Sequence, residues 1–165
     1  MLRPERSSAG NLSSVDGMVH APLFLQGLTE YWLSQNEWEK AEEQAQKLCE
    51  LSALPPDPPY VAMGHRLLAK AAMGRKAWDK ALEEIEQAVV CLNKVEAPLV
   101  EWQVYATAAE LNGKTGRFSE ADAYRRRSAA ILLSLAASMD EADPLRQSLL
   151  QHPLLNVVGV KDAAE

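Results

Sequence analysis

Cysteine, aromatic residues and long apolar runs are all scarce in this sequence. Only Cys49 and Cys91 carry a thiol among 165 residues, and aromatic side chains make up 6%. Two distant cysteines are too few for a zinc site, and they fit free thiols buried in a protein of the reducing cytoplasm. No segment has the pattern of a signal peptide or the ~20 apolar residues of a membrane span, so we expect a cytoplasmic protein without a membrane partner.

Runs of β-branched residues are missing as well. The composition is dominated instead by Ala, Leu, Glu, Gln, Lys and Arg, which favour helix. A chain of 165 residues suffices for one domain with a core. The predicted fold class is therefore all-α. The net charge of −6 argues against a nucleic-acid partner.

Seven helices are predicted from the spacing of apolar residues and from the prolines that interrupt it. Residues 1–19 lack periodicity and are predicted to form a flexible leader, and residues 156–165 are predicted to be a loose tail. The helical repeat domain lies between them, at residues 20–155. Its helices are placed at about residues 22–35, 37–53, 60–74, 77–95, 98–112, 119–139 and 145–152, with Pro153 as the last stop.

An aromatic residue followed three positions later by alanine recurs with a period of 40 residues. The residues concerned are Trp38 and Ala41, Trp78 and Ala81, and Phe118 and Ala121. Alanine permits the close approach of paired antiparallel helices. The aromatic ring one turn earlier is expected to cover the junction between one helix pair and the next, burying ~150–250 Å². The surrounding glutamates and lysines are expected to be solvated.

The segments EWEKA, AWDKA and RFSEA, each following a turn, resemble the second helix of the tetratricopeptide repeat (TPR) family. Gly116 stands where that family usually has its turn glycine, and Asn36 and Lys76 replace it in the other two units. The period of 40 residues exceeds the family's usual ~34. The extra length implies longer second helices or longer linkers, such as the proline-rich segment PPDPP. The resemblance covers about residues 22–139. It implies a right-handed stack of three antiparallel helix pairs.

The C-terminal segment RRRSAAILLSLAASMDEADPLRQSLLQHP resembles the end of repeat regions in bacterial regulators, such as ATPase-coupled transcriptional activators and adenylyl cyclase-like signalling proteins. In those proteins a short element covers the exposed face of the last helix pair. The likeness implies a short C-terminal capping helix here. It leaves open whether the chain is a binding module in its own right or the regulatory end of a larger signalling or transcription regulator.

The TPR resemblance implies a non-catalytic scaffold that binds a protein or peptide in its concave groove, without a cofactor. First-helix positions that the family turns toward the groove correspond here to Leu23, Gln26, Glu30, Leu33, Met63, Arg66, Lys70, Met73, Gln103, Ala106, Glu110 and Lys114. They could also be ordinary solvent-facing residues, although methionines and leucines on such a face favour binding. Arg66 and Lys70 lie one turn apart, so the groove centre is expected to be basic and to favour an acidic or carboxylate-bearing peptide.

Groups that could carry catalysis or bind a metal are dispersed along the chain. The GKT triplet at residues 113–115 lacks the first glycine of a phosphate loop and is predicted to be a turn. His20, His65 and His152 have no partner at metal-ligand or triad spacing, and His65 is expected to be a hydrogen-bonded structural residue. The basic run at residues 125–127 is interpreted as a solvated face, partly paired with nearby acidic residues, rather than a phosphate site.

Overall fold

The structure, a computed structural model, describes residues 13–93 and 95–157, with side chains from residue 21 to residue 156 apart from Lys94. Every regular element in these ranges is an α-helix, which confirms the predicted class. The helices are α1 (Ser13–Ser34), α2 (Trp38–Ala53), α3 (Pro58–Gly74), α4 (Trp78–Leu92), α5 (Pro98–Lys114), α6 (Phe118–Ala137), α7 (Pro144–Leu150) and α8 (Pro153–Val157). None of these described helices combines the length and apolarity that crossing a membrane requires.

The first six helices pack as three successive pairs: α1 with α2, α3 with α4, and α5 with α6. Each pair also packs on the next one, because α2 contacts α3 and α4 contacts α5. The first helices touch one another along the stack, whereas the described parts of the second helices have few contacts with each other. The stack therefore curves, with α1, α3 and α5 along its concave side and α2, α4 and α6 along its convex side.

In the turn that joins the two helices of each pair, one residue has the left-handed backbone conformation with a positive φ angle. This residue occupies the same position in all three repeats. The φ angles are +58° at Asn36, +59° at Lys76 and +78° at Gly116. A hydrogen bond that spans the turn also repeats: Glu37 N to Trp32 O at 3.0 Å, Ala77 N to Ala72 O at 2.9 Å, and Arg117 N to Asn112 O at 2.8 Å. This is a common way to end a helix. The same turn thus occurs in all three units, although only one of them has glycine.

Lys76 adopts this left-handed conformation without the freedom of glycine or the short polar side chain of asparagine. We expect Lys76→Gly to raise the free energy of unfolding by about 1 kcal/mol, because glycine removes the steric strain. The reverse change, Gly116→Ala, is expected to lower it by about 1 kcal/mol. Urea unfolding followed by circular dichroism measures both. A destabilised Lys76→Gly variant would contradict the assigned turn.

The small residues of the repeat lie where helices cross most closely. The alanines are fully buried, as predicted: Ala41, Ala81 and Ala121. The ring of Trp38 covers Gly74 of the following helix so closely that a Cβ atom there would collide with it. Trp38 therefore covers the junction between the first pair and the second. Trp78 is half-buried against the core that α3, α4 and α5 share.

The two junctions between pairs differ in how closely their helices approach. A Cβ atom at Gly64 would collide with the Cys49 thiol, so the absence of a side chain on α3 lets α2 come near. The positions 40 residues after Gly64 and Gly74 are Val104 and Lys114, which carry full side chains. Accordingly, α4 and α5 contact each other over a shorter stretch than α2 and α3.

Phe118 does not cover a junction, which corrects the prediction for this third aromatic. Its side chain is 68% exposed, because within the described residues no full-length helix pair follows α6. The short helices α7 and α8 pack on α6 instead, and Leu155 joins Ala129 and Leu132 in a small core. The predicted cap is present, but it leaves the Phe118 ring open.

Both ends of the helical region differ from the predicted boundaries. Helix α1 begins at Ser13 and contains Pro22, so the expected leader is helical from residue 13, and residues 1–12 lie outside the described chain. Pro153 begins α8 instead of only ending the helix before it, because its fixed φ suits the first turn of a helix. Of the expected loose tail, residues 158–165 lie outside the described chain.

Candidate functional site

The concave face has an open cleft of about 540 Å³ beside the last turns of α1, α3 and α5, here named the central cleft because residues of all three helix pairs line it. The three first helices supply most of its wall. Its lining consists of Glu30, Leu33, Ser34, Trp38, Lys70, Met73, Gly74, Glu110 and Lys114. The predicted groove positions among them are Glu30, Leu33, Lys70, Met73, Glu110 and Lys114. The central cleft therefore brings together two predicted groove residues from each of the three helix pairs.

A second cleft, of about 680 Å³, lies where α3 and α5 begin and α6 ends, and is here named the apolar cleft. Its apolar lining consists of Pro59, Tyr60, Met63, Ala97, Pro98, Leu99, Val100, Leu135 and Met139. Its polar lining consists of Gln26, Glu96 and Gln103. Gln26, Met63 and Gln103 were predicted groove positions. The rest was missed, although the apolar run APLV at residues 97–100 was visible in the sequence.

The remaining predicted positions lie apart from these two clefts. Ala106 lines a smaller cleft of about 250 Å³ together with Glu110, Arg125 and Leu154. Leu23 is 58% exposed on α1 and lines neither of the larger clefts. The predicted set is thus distributed over three clefts and the surface beside them, and Glu110 lines two of these clefts.

Met63 and Met73 are buried rather than exposed, which corrects one argument made for the groove. Their exposed fractions are 3% and 7%, and each packs in a core cluster while only its edge reaches a cleft. The cause is the contact between neighbouring first helices, which covers much of the face that each helix turns toward the concave side. The adaptable apolar surface expected from two methionines is therefore small.

Arg66 links the three first helices to one another. Its side chain is only 11% exposed. Its Nε donates a hydrogen bond to Thr107 Oγ1 of α5 at 3.2 Å, and its Nη1 lies 3.7 Å from a Glu30 carboxylate oxygen of α1. Burial lowers the pKa of the Arg66 guanidinium, and the Glu30 carboxylate opposes that shift. Arg66 thus ties the three first helices together, and little of its side chain is open to a partner.

Lys70 is the basic group that remains open at the centre of the concave face. Burial lowers the pKa of its ammonium group, with a contribution from Arg66 in the same direction, while Glu110 and Glu30 raise it. Glu110 itself pairs with Lys114 at 2.7 Å. In the described part of the chain, no carboxylate forms an ion pair with Lys70. The part of the groove that was predicted to be basic is therefore of mixed charge. Lys70 is the lysine there that could still pair with a carboxylate of a partner.

Three of the groups considered for chemistry have structural roles in the fold, whereas the side chain of His20 lies outside the described part of the chain. His65 Nδ1 lies 2.8 Å from Glu84 Oε2, which ties α3 to α4 and confirms the expected hydrogen-bonded histidine. Burial raises the pKa of the Cys49 thiol to about 12, so this thiol is protonated at neutral pH and is a weak nucleophile. Thr115 Oγ1 donates to the Leu111 carbonyl at 3.0 Å, as a helix-ending turn requires. The described residues contain no cluster of His, Cys, Asp and Glu side chains able to hold a metal ion.

The three arginines at residues 125–127 of α6 lie in three different environments. Arg125 pairs with Asp122 of its own helix, Arg127 lies over the Tyr105 ring at 4.4 Å from the centroid, and Arg126 is exposed. Arg125 is therefore paired within its own helix, whereas the sequence suggested pairing with the acidic residues at 140, 141 and 143. These side chains point in different directions, so they do not form a common phosphate-binding surface.

A solved structure with the same architecture gives an independent comparison. The crystal structure of a TPR-like protein from Chlorobium tepidum superimposes with a TM-score of 0.59, covering 88% of this chain and 97% of that chain at 16% sequence identity. No protein-family model and no curated protein matches the sequence. At this identity the likeness shows the fold alone. The chain has a TPR-like fold, as its repeat predicted.

Proposed function

We propose that this protein is a non-catalytic module that binds a protein or peptide segment along its concave face. The observation that carries the proposal is the pair of open clefts on that face, of about 540 and 680 Å³. Concave sites of this size that combine apolar walls with a few polar groups are typical of binding surfaces. The convex face is made of exposed, charged helix surface, as at Glu43 and Glu86.

The spacing of the two clefts suits a short extended segment. Met63 lines the apolar cleft and Met73 lines the central cleft, ten residues apart on the same helix. At ~1.5 Å of rise per residue, the clefts lie about 15 Å apart. An extended chain covers ~3.3 Å per residue, so about five residues of a partner reach from one cleft to the other.

Lys70 supplies the polar anchor in the central cleft. Its ammonium group is partly desolvated in the free protein, and a partner carboxylate would restore a charge-assisted hydrogen bond. The mixed charge around it, from Glu30, Glu110 and Lys114, disfavours a uniformly acidic peptide. We therefore propose a partner segment with at least one carboxylate that faces Lys70, rather than a run of acidic residues.

We expect Lys70→Gln to weaken binding of the partner by about 10- to 100-fold, because it removes one charge-assisted hydrogen bond. Glutamine keeps much of the side-chain stem, so the fold should be retained. The partner is first isolated from a lysate on the immobilised protein and identified by mass spectrometry, then titrated calorimetrically against each variant. Glu86→Lys, an exposed change on the convex face, serves as the control and should alter the affinity by less than about twofold.

Two results would contradict the proposal. Full binding by Lys70→Gln together with loss of binding by Glu86→Lys would place the partner on the convex face. Turnover of an isolated small molecule by the purified protein would contradict a non-catalytic role. Circular dichroism of every variant separates loss of binding from loss of the fold.

A further inference from the structure

We propose that the apolar cleft is the anchor subsite of the concave face, and that it takes a bulky apolar side chain with a positive charge next to it in the partner's sequence. This inference rests on the proposed function and adds the chemistry of the partner. The central cleft would then hold the partner's carboxylate, and the apolar cleft its hydrophobic anchor.

The apolar cleft leaves hydrophobic surface open to solvent. Leu99 is 64% exposed, and Tyr60, Val100, Leu135 and Met139 are each partly exposed along the same lining. Apolar surface left in water tends to be covered by a partner, and a pocket filled by one large apolar side chain is a frequent energetic centre of an interface. The cleft's volume of about 680 Å³ is ample for an aromatic or a large aliphatic side chain.

The walls of the apolar cleft are held in place before a partner arrives. Pro59 and Pro98 stand in the first turns of α3 and α5. The Asp57 side chain accepts a hydrogen bond from Tyr60 N at 3.4 Å, and Glu101 accepts one from Ala97 N at 3.0 Å. A preformed pocket loses little conformational entropy on binding. Each wall of the cleft is therefore fixed locally, at the start of its own helix.

Among the described lining residues of the apolar cleft, the charged one is acidic. Glu96 is the charged member of its lining and is exposed. Asp140 and Glu141 follow Met139 directly and are also exposed. A positive group placed beside the apolar anchor would be attracted by the Glu96 carboxylate, whereas a negative one would be repelled. The occupant with complementary chemistry is thus a segment such as Trp-Arg or Leu-Lys, not an acidic apolar segment.

The test uses three short peptides that share a Gly-Ser background and differ in a central pair: Trp-Arg, Trp-Glu and Ser-Arg. Methyl groups of Leu99, Val100 and Leu135 are followed by NMR during titration to millimolar peptide, so weak binding is detected at the site itself. We expect Trp-Arg to bind about tenfold tighter than Trp-Glu at low salt, and Ser-Arg to leave the methyl signals unchanged.

Two variants make the test specific. Leu99→Asp places a charge on the cleft wall at an exposed position, and it should abolish binding of Trp-Arg without altering the circular dichroism spectrum. Glu96→Lys should reverse the preference, so that Trp-Glu binds tighter than Trp-Arg. The same charge change on the convex face, Glu86→Lys, should preserve the original order.

The outcomes separate this inference from the proposed function. Unshifted methyl signals with Trp-Arg, or equal binding of Trp-Arg and Trp-Glu, would overturn the anchor proposal. It would also fail if Leu99→Asp converted a dimer to a monomer in sedimentation, because the cleft would then be an interface between copies. If Leu99→Asp and Glu96→Lys bind the isolated partner normally while Lys70→Gln does not, the concave-face proposal survives without the anchor.

Discussion

Arg66→Glu is expected to lower the free energy of unfolding by about 3–5 kcal/mol, because it leaves an uncompensated negative charge on a side chain that is only 11% exposed in the native arginine. The substitution removes the hydrogen bond to Thr107 and puts a second carboxylate beside Glu30. It also takes away the side chain that joins α1, α3 and α5. Because domains of this size are stable by only ~5–15 kcal/mol, the loss would be a large part of the total.

Chemical denaturation followed by circular dichroism measures this loss. Arg126→Glu is the matched control, since it makes the same charge change at an exposed arginine on α6 and should cost no more than about 0.5 kcal/mol. Equal unfolding midpoints for the two variants would show that Arg66 is not a structural cross-link.

Trp78→Ala is expected to cost about 3 kcal/mol, at the low end of the range for large aromatic side chains because the ring is half-buried. The ring packs against the core shared by α3, α4 and α5, and its removal leaves a cavity there. Phe118→Ala removes the aromatic at the same repeat position, but its ring is 68% exposed. That variant should lose less than about 0.5 kcal/mol.

The contrast between Trp78→Ala and Phe118→Ala tests whether the stack ends after three pairs. The melting temperatures of both variants are measured by thermal unfolding at several protein concentrations. A large loss in Phe118→Ala that depends on concentration would mean that another chain covers this ring in solution. A small loss in Trp78→Ala would mean that the repeat register assigned to α4 is wrong.

The helix pairs and their register could be predicted because the residues that specify them act locally. An alanine at a helix crossing is needed wherever two helices touch, so Ala41, Ala81 and Ala121 recur in the sequence as they do in the fold. The left-handed turn could be predicted at Gly116 and, because asparagine tolerates that conformation, at Asn36. At Lys76 the packing on both sides imposes the same conformation on a residue that does not favour it.

The candidate site was predicted only in part, because it depends on the curvature of the stack. Whether Met63, Met73 or Arg66 is open or covered is decided by how closely α1, α3 and α5 approach, and no single helix encodes that distance. The apolar cleft was missed for a related reason. Its walls come from the linker before α5 and from the end of α6, which only the complete stack brings beside Tyr60.

The unequal junctions have a mechanical consequence. Glycine at positions 64 and 74 joins α1–α4 into a block of closely packed helices, while the looser contact between α4 and α5 leaves the last helices more freedom. We expect slow bending of the stack to concentrate at that junction. The apolar cleft has walls on both sides of it, at Met63 and Leu99, so bending alters the width of the cleft. A partner seated there would hold the two walls at one separation and would therefore oppose bending at this junction.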